Sequence, residues 1–480
     1  MKQTETRPPL WEFLSEGLYH FDISHSRICL VGGSVRDYLR EGRVGPDLDV
    51  VIELEGGAER LARHLSLFWG ERASEPHALG RGYPIWQLVV KLAPALAQSL
   101  GFSQVEIQIA DTQKEMFPDP NTRQRVTRFG DLKEDCARRD FTVNMLYWDL
   151  RSRNILDPSH RGLLDLKEHR LAAHPEVDPA KIFADDPLRM LRLLRFQSKL
   201  GFDVDPALWQ AFDTEFPRVS ILSAERVRDE ILKVAVSGGL APFVESLRAR
   251  GVLGLIFPEF LPMIGCGQDS LYHSEGDVWV HTLAVMELAP RTPELQLAAL
   301  LHDTGKPATR EVKGERVSFI LHEKVSTEIA GLWLEKWKFP KLLRERVLAL
   351  VALHLRGGDA VAWKSARPAR KLRRDAGPVL DELLQLIEAD SRASLGPGGQ
   401  PRLEHLPKLR AWLDEAARVP EPAHSAVSGS KIMEHFGISS GPEVRRLKQL
   451  ADDIREEMLV AGEEPDEDRI LQKVAVLRKN

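Results

Sequence analysis

The sequence predicts an α+β chain, an α/β head followed by an all-α body, on three observations. Short β-branched runs alternate with helical stretches through the first part of the chain. From about Leu163 onward amphipathic helical periodicity takes over and β-branched runs become scarce. Turn-forming clusters fall at 157–162, 257–267 and 394–401, the last containing Leu-Gly-Pro-Gly-Gly-Gln-Pro. At about 150 residues per domain, 480 residues suggest about three domains. Boundaries at the turn clusters divide the chain into a head (1–162), a neck (163–260), a third segment (261–395) and a tail (396–480). There is no internal repeat or low-complexity segment.

In order along the head, Ile28–Val31, 48–52, 85–90, 105–110 and 141–150 read as strands or near-strands. The first leads through Gly32-Gly33-Ser34 into a helix start carrying Arg36. Glycines let a backbone approach a phosphate closely, and helix-start N–H groups favour an anion, although a plain strand-helix turn has the same pattern. The second strand opens on Asp47-Leu48-Asp49. Residues two apart on a strand point to the same side, about 6.5 Å apart. Such carboxylates can share one or two magnesium ions for phosphoryl or nucleotidyl displacement, or stand solvated at a turn. Glu106 is a candidate third acid or an exposed strand carboxylate.

In the body, Pro187 suits the first turn of a helix and the acids before it suit that helix's positive end. Asp186, Arg189, Arg192 and Arg195 recur every third residue in one stripe, with Met190, Leu191 and Leu194 across the helix. Three guanidiniums on one face require anions, or else form a solvated basic face. Further on, His281 opens a helical run, followed by His302-Asp303-Thr-Gly-Lys, His322, His354 and Asp390. Imidazoles and carboxylates suit a divalent transition metal, which generates hydroxide near neutral pH. A lone histidine on an apolar helix is more often a core residue.

Composition narrows the function classes. With 66 basic and 71 acidic residues the net charge is −5, which excludes the global positive field of a DNA-coating protein and leaves local patches for any nucleic acid. Cys29, Cys136 and Cys266 are odd in number and far apart, arguing against a disulfide framework or a cysteine zinc cluster and suiting a reducing cytosol. No apolar run approaches the roughly 20 residues of a membrane helix. Glu5, Glu12, Glu16 and Asp22 interrupt any signal-peptide pattern. The expectation is a soluble cytoplasmic protein without membrane or DNA partners; the oligomeric state stays open.

The motifs in order, Gly-Gly-Ser-Val-Arg-Asp (32–37), Asp47-Leu-Asp49 and Arg-Arg-Asp-Phe-Thr-Val-Asn (138–144), resemble the nucleotidyltransferase head of bacterial tRNA nucleotidyltransferases (CCA-adding enzymes) and poly(A) polymerases. The resemblance runs from Leu30 to about Val460 and implies template-independent addition of CMP and AMP from CTP and ATP to the tRNA 3′ end. By it, Gly32, Gly33 and Arg36 meet the triphosphate, Asp47 and Asp49 hold Mg2+, Arg139 helps bind the nucleotide, and Asp140 and Asn144 organise the sugar side. Asp186 and Arg189 would read the base, with Arg192 and Arg195 on the phosphates. Asp185 stands where the family usually has Glu. Residues 224–233 match a family helix that follows the neck. Residues 117–128 occupy the place of the family's specificity-switching loop, but the usual basic pair there is displaced.

The His302-Asp303 segment resembles the HD phosphohydrolase superfamily. That resemblance makes His281, His302, Asp303 and Asp390 metal ligands, and leaves His322 and His354 open between a second metal and structure. The tail resembles the family's helical C-terminus, with Arg445, Arg446 and Lys448 facing tRNA or solvent. A CC-adding, A-adding or poly(A)-adding enzyme is the alternative within the same chemistry. An HD metal phosphohydrolase with an RNA-binding head, or a non-catalytic RNA-binding protein, is the alternative from another class.

Overall fold

Apolar at every position, Ile28–Val31 is buried on both faces and forms β1 inside a seven-stranded sheet. The computed structural model describes residues 8–22, 26–80, 83–116, 126–314, 316–418 and 426–478. Its chain divides into two units, Met1–Gly238 with Pro242–Ile256, and Gly239–Ala241 with Phe257–Asn480. The segments read as head and neck fall mainly in the first, and those read as HD region and tail in the second.

In the first unit the remaining strands are β2 (Asp47–Ile52), β3 (His77–Leu79), β4 (Ile85–Lys91), β5 (Gln104–Asp111), a separate hairpin of β6 (Gln113–Met116) and β7 (Val126–Phe129), then β8 (Tyr147–Asp149) and β9 (Ile155–Leu156). The sheet order is β3-β4-β5-β2-β1-β8-β9, with β2 and β5 parallel and the other neighbours antiparallel. Alternation along β2 sends Leu48 and Val50 into the core and leaves Asp47 and Asp49 exposed on the opposite face. Helix Gly33–Glu41 follows β1 through Gly32, whose φ of +76° with ψ of −131° is open only to glycine.

The strand expected over 141–150 is confined to β8. Ahead of it Thr142–Asn144 forms a 3-10 turn. There Asn144 Nδ2 donates to Asp140 Oδ1 at 2.9 Å and Thr142 Oγ1 to Asp165 at 2.7 Å. These side-chain bonds, one local and one across 23 residues, bend the segment away from a ladder. The rest of the unit is helical, apart from β10 (Arg170–Leu171), which pairs in parallel with β11 (Asp203–Val204). Helix Leu188–Leu200 buries Met190, Leu191, Leu193 and Leu194, packs against Ala224–Val236, and turns its arginines the other way.

In the second unit, Val278–Leu288 and Pro293–Leu301 pack with His322–Lys336, Lys341–Leu353 and Leu380–Ala393. Pro293–Leu301 is buried at every position from Leu295 on, which its apolar sequence requires. A hairpin of β12 (Arg310–Lys313) and β13 (Arg316–Phe319) interrupts these helices. The 394–401 cluster read as a linker folds back on itself: Leu395 bridges Pro401, and Gly396 N–H donates to Gln400 O at 2.9 Å. The final helices, Gly429–Phe436, Pro442–Val460 and Glu467–Arg478, enclose Ile432, Leu447, Ile454, Ile470 and Val474. Each such side chain contributes about 1.5–3 kcal/mol by burial. Among the described residues, no helix is long and apolar enough to cross a membrane, and the three cysteines are free and buried.

Candidate functional site

A cavity of about 800 Å³ opens in the first unit where the turn after β1, the exposed face of β2 and helix Leu188–Leu200 converge. Every residue marked there by sequence lines it: Gly32, Gly33, Arg36, Asp47, Asp49, Arg139, Asp140, Asn144, Asp186, Arg189, Arg192 and Arg195. Gly32 lies against the acids, since a Cβ built on it would come 3.8 Å from Asp49 Oδ2. Burial in the cavity wall and the neighbouring Asp47 push the Asp49 carboxyl up, while Arg139 opposes them. Neither Asp47 nor Asp49 accepts a hydrogen bond from a described residue, so this oxygen pair suits Mg2+, which binds through one or two carboxylates and completes its shell with water and substrate phosphates. Glu106 lies beside Asp47 in the β2–β5 register and accepts a 2.8 Å bond from Gln108.

The arginines are fixed by the protein itself. Arg192 donates twice to Asp140 Oδ2, at 2.8 and 2.6 Å. Asp140 continues through Asn144 to the buried Arg36, whose Nη1 donates to Asn144 Oδ1 at 2.5 Å. Burial raises the Asp140 carboxyl, but Arg192 and Asn144 more than reverse this and hold it well below the usual range. Arg195 donates to Glu230 at 2.7 Å and stacks over Phe196. The sequence leaves the three guanidiniums on the neck helix between bound anions and a solvated basic face; Asp140 and Glu230 supply carboxylates to Arg192 and Arg195. Arg189 donates to the carbonyls of Arg138 and Ile182, at 2.6 and 3.3 Å, and has the Glu115 carboxylate at 3.8 Å. Asp186 caps Leu188 N–H and takes two bonds from Arg226, at 3.0 and 2.8 Å. Asp185 is half-buried at the end of Pro179–Asp185.

Sequence reasoning missed Asp135. Fully buried, it accepts from Arg138, Arg139 and the Tyr147 hydroxyl at 2.7 to 3.1 Å. Burial pushes its carboxyl up, but Arg139 and Arg138 outweigh that and hold it down at about 2. The spacing of Asp135 three and four residues before two arginines was a readable signal. Arg226 and Glu230 carried no such signal, because their partners lie 40 and 35 residues away. The expected switching loop lies largely outside the described residues; 126–128 belong to β7.

A second cavity of about 750 Å³ lies in the second unit and is lined by Asp303, His322, His354 and Asp390, with Lys306 and His273. The ligand atoms of His281, His302 and Asp390 lie within 4.8 Å of one another, as do those of Asp303, His322 and His354. Asp303 joins the sets, with Oδ2 at 3.1 Å from His302 Nε2 and Oδ1 at 3.2 Å from His322 Nε2. At His302, His322 and His354 the Nδ1–H donates to the carbonyl three residues earlier, at 2.7 to 2.8 Å. At His281, Nδ1 faces Glu275 Oε1 at 2.8 Å. All four rings thus turn Nε2 inward, the arrangement in which second-shell acceptors present imidazole to a metal. Burial and the nearby His302 push His354 down to about 4, favouring the neutral form a metal requires. This donor set fits a divalent transition metal. Glu275 was missed by sequence; it accepts from Leu395 N–H at 2.9 Å, tying the 394–401 hairpin to the cluster. Arg445, Arg446 and Lys448 are exposed on Pro442–Val460.

Three domain families match the chain in order: the poly A polymerase head domain at residues 85–172, the probable RNA and SrmB-binding site of polymerase A at 201–264, and the HD domain at 278–395. An A-adding tRNA nucleotidyltransferase of Deinococcus radiodurans is 32% identical, over 88% of this chain and 90% of its own. A CC-adding tRNA nucleotidyltransferase of Thermus thermophilus is 30% identical over 88% of each. The crystal structure of the Bacillus stearothermophilus CCA-adding enzyme in complex with CTP shares the fold, with a TM-score of 0.62 at 20% identity over 99% of this chain and 98% of that one. Alignment over nearly nine-tenths of both chains at 30% identity and above, with the head, RNA-binding and HD families in sequence, makes this chain a member of the tRNA nucleotidyltransferase family.

Proposed function

We propose that the chain adds CMP and AMP from CTP and ATP to the 3′ end of tRNA without a nucleic-acid template, in the cytoplasm. The observation that carries this is the gathering of a glycine turn, two carboxylates without hydrogen-bond partners and a fixed row of arginines around one nucleotide-sized cavity. The terminal ribose 3′-hydroxyl attacks the α-phosphorus; the new P–O bond forms as the bond to the β-phosphate bridge breaks, pyrophosphate leaves, and the hydroxyl proton passes to water. Asp47 and Asp49 would hold Mg2+, which when bound would supply Lewis-acid stabilisation of the entering and leaving oxygens. The Gly32–Gly33 turn and Arg36 hold the triphosphate, and Arg139, Asp140 and Asn144 set the sugar. Arg189, anchored by two carbonyls, presents its remaining N–H groups to base acceptors. Asp186 accepts from an exocyclic amino group, which C and A carry and U lacks. In the second unit His281, His302, Asp303 and Asp390, beside His322 and His354, hold a divalent metal for phosphoester hydrolysis.

The relatives include both an A-adding and a CC-adding enzyme at similar identity. The test is therefore incorporation of labelled CTP and ATP into tRNAs lacking three, two or one terminal nucleotides. Incorporation into all three, ending at CCA, is expected. Arrest after CC, or activity only on the tRNA lacking its last nucleotide, would replace the proposal by a partial reaction. Retained incorporation by Asp47→Ala with Asp49→Ala would refute the site.

A further inference from the structure

Between Lys364 and Arg374 the chain carries six basic residues and no acid, although its net charge is −5. Most of this stretch is the helix Arg367–Ala376. At 100° per residue Arg367, Lys371 and Arg374 recur on one face, while Ala369, Leu372 and Ala376 turn inward and are buried, as is Arg370. The apolar face rests on the helix His405–Arg418. Asp453 pairs with Arg367 near one end, and Asp375 with Arg356, at 3.5 Å, and with Arg374, at 3.7 Å, near the other. Lys364, Lys371 and Arg373 are exposed and pair with no acid among the described residues.

We infer that this helix is a docking surface for the phosphodiester backbone of the tRNA substrate, separate from the nucleotide cavity and from the tail residues Arg445, Arg446 and Lys448. The inference rests on the proposed action on tRNA. Charge of this density on a helix that buries its own apolar face has nothing apolar to insert into a lipid surface, so the partner is a polyanion. A basic stripe without interleaved exposed aromatics on the helix contacts phosphate and positions an RNA without reading its sequence.

The test measures binding of full-length protein to tRNA lacking its CCA end from 50 to 300 mM KCl, alongside labelled CTP incorporation. Folding of each variant is checked by circular dichroism. For Lys371→Glu, Arg373→Glu and Arg374→Glu combined, tRNA affinity at 100 mM KCl is expected to fall at least about tenfold. The slope of log affinity against log salt should shrink by about two to three, one phosphate contact accounting for about 0.7–0.9. The KM for CTP should stay within about twofold. Glutamine at the same three positions should reproduce the smaller slope with a weaker loss. An unchanged slope in both variants, with the wild type incorporating CTP, overturns the inference and leaves an acidic protein as the helix's partner. Wild type that binds tRNA but adds no nucleotide overturns the proposed function instead, and the slope still decides the helix.

Discussion

Asp135 is the buried charge on which the two adjacent arginines depend. Its carboxyl lies at about 2, below the ordinary 3.8, so its ion pairs stabilise the fold fully above about pH 4 and are lost as the pH falls toward 2. The shift corresponds to about 2 kcal/mol. Asp135→Asn leaves two guanidiniums without their carboxylate and should destabilise the first unit by about 3–5 kcal/mol at pH 7. In acid-unfolding curves the gap between variant and wild type should narrow by about 2 kcal/mol as the pH falls from about 4 toward 2. A gap independent of pH would assign the loss to packing. Glu275 has the corresponding place in the second unit, orienting His281 from behind. Glu275→Gln should lower divalent-metal affinity about 10- to 100-fold in equilibrium dialysis. CMP incorporation should not change.

At the scale of elements, the end of the neck proposed to read the base depends on one helix bracing another. Ala224–Val236 supplies Arg226 to Asp186, just ahead of helix Leu188–Leu200, and Glu230 to Arg195 on that helix, so both are held by a neighbouring element. Arg226→Ala should free the Asp186 carboxylate and reduce discrimination of CTP and ATP against UTP by about 1–3 kcal/mol, read as the ratio of kcat/KM values. Unchanged discrimination would show that Leu188 N–H alone suffices to place Asp186. The same elements show what was legible beforehand. Asp47 and Asp49 could be placed because two-residue periodicity on a strand is local, and the arginine stripe because helical periodicity is local. The carboxylates that hold the stripe were hidden, since Asp140 and Glu230 reach it across 52 and 35 residues of sequence. The strand expected over 141–150 failed for a related reason: Asp140 and Asp165 capture the Asn144 and Thr142 side chains, and composition does not show such bonds. The 394–401 segment has the composition of a linker, yet Glu275, 120 residues earlier, secures it.

At the scale of the molecule, each unit encloses its own cavity and its own apolar clusters. His302→Ala should therefore abolish phosphoester hydrolysis and metal retention while CMP incorporation stays within about twofold. Loss of both activities together would show that the HD cluster supports the head. The order of head and HD motifs was legible because each carries its own local residue pattern. Attachment of the turn-rich joints was not, because composition records flexibility and misses the partner that removes it. One property of the whole follows from the Asp140–Arg192 and Glu230–Arg195 pairs. The nucleotide cavity is lined by nine cations and six carboxylates, and much of its positive charge is already engaged. On the proposed function such a site would work as an ion exchanger: a nucleotide would enter by displacing or sharing resident carboxylates, and only a ligand offering triphosphate, sugar and base together would recover what that exchange costs. Inorganic phosphate, with one of the three, should compete poorly with CTP.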